Sequence, residues 1–445
     1  MKKKILLLSD DMRMTSGVAT MSKEIVLGTV DKFDWVQLGA LIKHPHYGKI
    51  IDVSEDVKLR TGVHDANVKI YPNNGYGDIV TLRRIIKAEK PDAILHFTDP
   101  HFWKWLYDNE HEIRQTIPIL YYHVWDNLPT PKWNKSYYES CDWIGCISLL
   151  TYGIVKRLCN EFKEDQISYV PHGVNKNIFK PLTNVSQTIK NYINGDKEYS
   201  FILFFNNRNI RRKHPANVIY SYKLFCDNLP KVESDKCLLL MHTEPVDENG
   251  TDLTAIISDL CPDYNIKFTN VKFEQDELNQ IYNHVDCTIN ISNNEGFGLT
   301  TLESLMSGTP IIVNVTGGLQ DQCGFNLKPY DYFILGTLSG NKSYEKNLKH
   351  GEWAFPVWPS STLINGSIPT PYIFEDNLNI EDISKTIMNV YKIDKDKRKE
   401  IGLLGNKFAI DNFSSEIMCE KLSEGIENTI NNFQQKEKYN LYKII

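Results

Sequence analysis

Short apolar runs alternate along this chain with stretches whose apolar residues recur at helical spacing. The runs at 4–8, 35–41, 93–97, 117–123, 143–148 and 167–170 read as buried strands. Between them, Val18, Met21, Ile25 and Val26 share one helical face, and 149–159 is also helical. Residues 79–89 form another helix, which Pro91 ends. The rhythm resumes with strands at 200–205, 237–242, 266–268, 287–291 and 310–315. Helices are expected at 216–226, 252–260, 274–285, 299–306, 380–391, 397–411 and 415–431. Strands alternating with helices predict parallel sheets covered on both faces, an α/β fold.

Residues 171–197 are polar, contain Pro181 and lack strong periodicity, so they read as a linker. The chain then divides into an N-terminal Rossmann-like domain over 1–180 and a C-terminal domain over 198–415. A last amphipathic helix within 416–445 is expected to cross back to the first domain. Residues 323–374, with Trp353, Trp358 and several prolines, look irregular. That length without regular structure suggests a lid or an inserted excursion.

Composition narrows this picture. At 445 residues, two domains of roughly 200 residues each are the natural expectation. The hydrophobic fraction of 41% and charged fraction of 24% are those of a globular, soluble chain. A formal net charge of −6 argues against nucleic acid as the main partner. Nine scattered cysteines with no C-x-x-C pair point to reduced thiols and a cytoplasmic location. The start, MKKKILLLSDD, has an apolar run too short for a signal peptide. No stretch approaches the ~18 apolar residues of a membrane span.

Candidate chemistry concentrates at 292–315, SNNEGFGLTTLESLMSGTPIIVNV. The pattern is strand, glycine loop, short helix, strand. Gly296 and Gly298 let the backbone approach a ligand, and the helix start gathers unpaired N–H groups that favour an anion. Glu295 and Glu303 offer acceptors for hydroxyls. Such a site suits a ligand that is part anion and part polyol, such as a nucleotide sugar. Thr300-x-x-Glu303 is equally a capping box, which would occupy Glu303 with backbone donors. Glu295 has a blander reading as a solvated loop acid.

In open parallel sheets, ligands gather at the carboxyl ends of strands. Gly17, His123, Arg208, Lys213, Glu295 and Gly317 all fall at such ends. The basic loop RNIRRK, from Arg208 to Lys213, reads as a diphosphate clamp, a solvated loop or a nucleic-acid contact. His123 is a candidate with His96 as rival, while His172 reads as structural. No G-x-G-x-x-G is present, and no strand is followed by a convincing Asp-x-Asp for a divalent ion, so no metal and no cofactor are expected.

The ordered motifs resemble the GT-B glycosyltransferases, most of all the retaining glycosyltransferase family 4. Glu295-Gly296-Phe297-Gly298-Leu299-Thr300-Thr301-Leu302-Glu303 is similar to that family's Glu-x7-Glu motif. Ser307-Gly308-Thr309-Pro310, Gly317-Gly318-Leu319-Gln320-Asp321 and Val170-Pro171-His172-Gly173-Val174 follow the family's pattern, as do Arg208 and Lys213. The resemblance implies two Rossmann-like domains facing across a cleft. It places Glu295 on donor-sugar hydroxyls, Glu303 on the ribose, and Arg208 with Lys213 on the diphosphate. Gly296, Phe297, Gly298, Leu299 and Thr300 would line the donor site. Gly317 and Gly318 would present N–H groups to the phosphates. His123 would approach the donor sugar, and Gly17 would lie on the acceptor side. Ser16-Gly17 stands where the family usually has two glycines.

The implied activity is metal-independent sugar transfer from a UDP- or GDP-sugar to an acceptor hydroxyl, with retention. The acceptor is a saccharide, a lipid-linked glycan, a protein or a modified DNA base. The rival readings are a DNA-base glycosyltransferase and a non-catalytic nucleotide-sugar binder.

Overall fold

The computed structural model describes residues 2–269, 271–326 and 348–437. The chain forms two compact units. Unit 1 comprises Met1–Trp125, Thr130–Gly173 and Ser415–Ile445, and unit 2 comprises Asp126–Pro129 and Val174–Ser414.

Unit 1 holds an eight-stranded sheet. Its strands are β1 (Lys3–Asp10), β2 (Phe33–Leu41), β3 (Ile51–Asp52), β4 (Val68–Asn74), β5 (Ala93–His96), β6 (Ile119–His123), β7 (Trp143–Cys146) and β8 (Ile167–Tyr169). They run in the order β3-β4-β2-β1-β5-β6-β7-β8. All neighbours are parallel except β3 and β4. Ile5–Leu8 are fully buried, as a strand covered on both faces requires. The first helix, Gly17–Thr29, is capped by Ser16, whose Oγ accepts from the Ala19 N–H at 3.0 Å. The last helix, Ser415–Asn432, packs against that first helix and against β7.

Unit 2 holds a six-stranded parallel sheet of β9 (Phe201–Asn206), β10 (Cys237–His242), β11 (Ile266–Phe268), β12 (Cys287–Asn290), β13 (Ile311–Asn314) and β14 (Ala354–Val357). The order is β11-β10-β9-β12-β13-β14. Phe201, Leu203, Phe205, Leu239, Met241 and Ile289 send their side chains into one buried layer. Val218, Ile219 and Tyr222 of helix Pro215–Asp227 and Ile383, Ile387 and Val390 of helix Ile380–Tyr391 complete it. An antiparallel hairpin, β15 (Ser361–Asn365) with β16 (Ile373–Asn377), stands apart from the sheet.

Several expectations are corrected. The linker contains a helix, Gln187–Asn194, capped by Ser186, with only Ile189 and Ile193 buried. Its apolar face, Ile189, Tyr192 and Ile193, spans little more than one turn, too short to stand out in a polar linker. The segment 323–374 is not irregular throughout: β14 joins the sheet beside β13, and the hairpin follows it. Residues 327–347 of that segment lie outside the described residues, as do 438–445 of the terminal stretch. In unit 1, β4 and helix Ser54–Thr61 were not expected. Pro72 and two asparagines dilute the strand's alternation, and the helix buries only Ser54 and Val57.

Candidate active site

In unit 2, the loop after β12 and the turn after β13 interlock. Gly318 donates its N–H to the Glu295 carbonyl at 2.9 Å. Gly317 has φ of +47°, and a Cβ there would collide with the same carbonyl. A Cβ on Gly318 would strike the Gly296 carbonyl and the Phe297 backbone. Only glycine satisfies both contacts. The expectation that Gly318 presents its N–H to phosphates is therefore corrected: that donor holds the Glu295 loop in place.

Glu295 is 8% exposed and forms an ion pair with the buried Lys213. Lys213 arrives on a short 3-10 turn, Arg211–Lys213, after β9. Arg212 lies 3.9 Å from the same carboxyl and donates to the Asn294 carbonyl at 2.8 Å. Burial alone would raise the Glu295 pKa. The cations of Lys213 and Arg212 outweigh it and hold the carboxyl below the usual glutamate range, so it is ionised at neutral pH. Asp126, half-buried, is pushed up by burial, an effect that the Arg212 charge opposes. Arg208 does not join this cluster. Its side chain is exposed and pairs with Asp247 at 3.0 Å.

Helix Leu299–Met306 begins at Gly298, whose φ is +91°, and no side chain among the described residues caps it. The capping-box alternative for Glu303 is thereby corrected. The Glu303 carboxyl accepts a hydrogen bond from the Tyr282 hydroxyl at 2.8 Å instead. Tyr282 is fully buried and its oxygen accepts from Asn206 Nδ2 at 2.8 Å. Burial drives the Glu303 pKa up to about 7, with Tyr282 pulling the other way. The uncapped amides of Leu299, Thr300 and Thr301 remain for an anion. Phe297 turns its ring into the core, 5.4 Å from Phe413, so it offers a ligand only its backbone.

The hairpin supports this loop from the far side. Asn294 Nδ2 donates to the Phe374 carbonyl at 2.8 Å, and the Asp376 N–H to the Asn293 carbonyl at 3.1 Å. Thr316 Oγ1 donates to Asp376 at 2.9 Å. Tyr282, Arg212 and the hairpin were missed as site residues. Thr362-Leu363-Ile364 and Ile373-Phe374, separated by Gly366 and two prolines, were the available signal for the hairpin. Nothing local marks Tyr282.

In unit 1, His123 is fully buried at the end of β6, with Nε2 2.7 Å from the Tyr138 hydroxyl. Burial lowers its pKa to about 3, so the ring is neutral. Its Nδ1 has no hydrogen-bond partner among the described residues. His96, the rival, has both nitrogens engaged, at 2.7 Å from the Tyr107 hydroxyl and 3.1 Å from Thr98 Oγ1. Gly17 opens its helix with nothing within 4 Å of where a Cβ would stand. Among the described residues, no three His, Cys, Asp or Glu side chains cluster as a metal site, and no helix is long and apolar enough to cross a membrane.

Two Rossmann-like units with parallel sheets, the second bearing a glycine-locked loop at its strand ends, define the GT-B fold. Residues 187–326 of unit 2 match the family model for group 1 glycosyl transferases. The chain is 28% identical over 160 residues to a D-inositol 3-phosphate glycosyltransferase of Thermobispora bispora. It is 23% identical over 274 residues to an uncharacterized glycosyltransferase of Methanocaldococcus jannaschii. These matches cover 35% and 58% of this chain, and the chain spans 36% and 61% of the lengths of those curated relatives. Among solved structures, HepE of Anabaena in complex with UDP and glucose aligns with a TM-score of 0.65 at 13% identity. That alignment covers 96% of this chain and 100% of HepE. Sucrose-phosphate synthase from Thermosynechococcus elongatus aligns at 0.68 and 13%, covering 97% and 100%.

Proposed function

We propose that this protein transfers a sugar from a nucleotide-diphosphate-sugar donor to an acceptor hydroxyl, with retention of configuration. The observation that carries the reading is the Lys213–Glu295 pair, buried beneath the Gly317-Gly318 turn and next to an uncapped helix start. The glycosyl transferase model over this segment and the UDP-bound neighbour support it.

In this reading the Glu295 carboxylate accepts hydroxyls of the donor sugar. Lys213, Arg212 and the amides of Leu299–Thr301 offset the negative charge on the diphosphate, the device that electrostatic catalysis needs most. Arg208 joins them by exchanging Asp247 for phosphate. Gly296, Gly298 and Thr300 give the backbone edge along which the donor lies, and Glu303 takes the ribose hydroxyls. The bond between the anomeric carbon and the diphosphate oxygen breaks, its electron pair leaving with the diphosphate. The acceptor oxygen bonds to the same face of that carbon, and its proton passes to the departing phosphate oxygen. The neutral His123, whose Nδ1 has no partner among the described residues, is suited to a hydroxyl of the donor sugar. No metal is required by this scheme.

The test is a thermal-shift screen with UDP-, GDP- and ADP-sugars. A donor that binds only the folded state raises the melting temperature. A shift with one nucleotide class supports the reading, and no shift with any at millimolar concentration overturns it.

A further inference from the structure

A second constellation lies in unit 1, at the carboxyl ends of β1, β4 and β5. Tyr76 follows β4, held between Gly75 and Gly77, both at positive φ. Its ring stacks on Phe102 with centroids 4.6 Å apart and planes 8° from parallel. Its edge meets Trp103 at 5.6 Å. Trp103 is fully buried, and its Nε1 donates to Thr98 Oγ1 at 2.5 Å, which ties the stack to the core. Phe102 is nevertheless 49% exposed. One face is backed by Tyr76, and about half of the side chain stays open to solvent. A lone exposed Phe needs no explanation, but one stacked on an anchored partner is a platform.

Carboxylates flank it. Asp99 starts the 3-10 turn Pro100–Trp103 and sits 2.8 Å from His101 Nδ1. Asp10 ends β1, is half-buried, and accepts from Ser16 Oγ at 2.5 Å with no cation paired to it among the described residues. Asp10 and Asp99 follow the carboxyl ends of β1 and β5, parallel neighbours with Leu8 opposite His96, and after burial their charges raise the Tyr76 hydroxyl. A pyranose ring has an apolar face of C–H bonds and an equator of hydroxyls. An aromatic face bounded by carboxyl oxygens complements both parts. The same carboxylates repel a phosphate backbone.

We infer that the Tyr76–Phe102 platform, with Asp10 and Asp99, is the acceptor subsite and that the acceptor is an uncharged saccharide. This rests on the transferase reading above, and it sets aside the modified DNA base.

The test is NMR titration of the full chain with neutral di- and trisaccharides, alongside Phe102→Ala and Phe102→Trp. Wild type and Phe102→Trp should show saturation transfer to the sugar ring protons, and Phe102→Ala should weaken binding at least tenfold. Because Phe102 is half exposed, its truncation spares the core. Equal binding in Phe102→Ala, or no saccharide response in wild type at tens of millimolar, overturns the inference. So does tighter binding of duplex DNA than of any saccharide. Nucleoside diphosphate titrated in parallel separates the two claims. Nucleotide binding without a saccharide response overturns the platform alone. A saccharide response lost in Phe102→Ala, without nucleotide binding, supports the platform and overturns the donor reading.

Discussion

Glu303→Gln separates what this carboxyl costs the fold from what it offers a ligand. Burial lifts its pKa from 4.5 to about 7. The folded state therefore binds the proton more tightly than the unfolded chain does. Stability from this group is full below the unfolded value of 4.5 and is lost as pH rises toward and through about 7. The ionisation cost is about 1–3 kcal/mol above that pH, its lower end allowing for solvent screening of a half-buried side chain. Glutamine keeps an acceptor for the Tyr282 hydroxyl and has no proton to lose. Denaturant unfolding at about pH 8.5 should find the variant more stable by about 1–3 kcal/mol, the gap fading toward pH 4.5. Nucleotide binding should move the other way. On the proposed ribose role of Glu303, the carboxylate is the stronger acceptor, so wild-type affinity for a nucleoside diphosphate should rise about tenfold from pH 6 to pH 8. The nucleotide's own phosphate ionisation is common to both proteins and cancels in the comparison. The variant should lose that extra slope, and at pH 8 it should bind roughly 10–100-fold more weakly, the loss of a charge-assisted hydrogen bond. A variant less stable at high pH, or one with wild-type affinity and slope, refutes the reasoning.

Lys213→Met should destabilise the protein by about 3–5 kcal/mol at pH 7, because it strands the buried Glu295 charge. Lys213→Met combined with Glu295→Gln should recover most of that loss, as a double-mutant unfolding cycle would show. Gly317→Ala places a methyl group against the Glu295 carbonyl at a positive φ, so it should cost about 1–3 kcal/mol by thermal unfolding and weaken donor binding.

Much of this molecule could be read from residues close together in the chain. The bounds of Ile79–Glu89, Cys237–His242, Ile266–Phe268 and Ile380–Tyr391 match the hydrophobic pattern, since each is a buried run or an amphipathic stretch with a clear stop. Short elements that bury little, such as Gln187–Asn194, left a pattern of little more than one turn, Ile189, Tyr192 and Ile193. Glu295, Glu303 and their glycines were visible because one strand–loop–helix segment carries them. What fixes each side chain comes from elsewhere. Tyr282 lies 21 residues before Glu303, and its hydroxyl rather than a helix cap decides that carboxyl's role. The basic loop was visible as a cluster. Which of its members turns inward was not, and the structure selects Lys213 and Arg212 while leaving Arg208 on Asp247. Gly317 and Gly318 show the same division: their presence was local information, and their collision geometry against the Glu295 loop was not.

The most direct measurement of the central claim is nucleoside diphosphate release from a panel of nucleotide sugars, with neutral saccharides as acceptors, by wild type and Glu295→Gln. The account predicts release from at least one donor, stimulated by acceptor. It predicts loss of about 100-fold or more in the variant, consistent with removing one preorganised group, while bare nucleotide still binds. Equal rates in the two proteins, or no release from any donor by wild type, would contradict it.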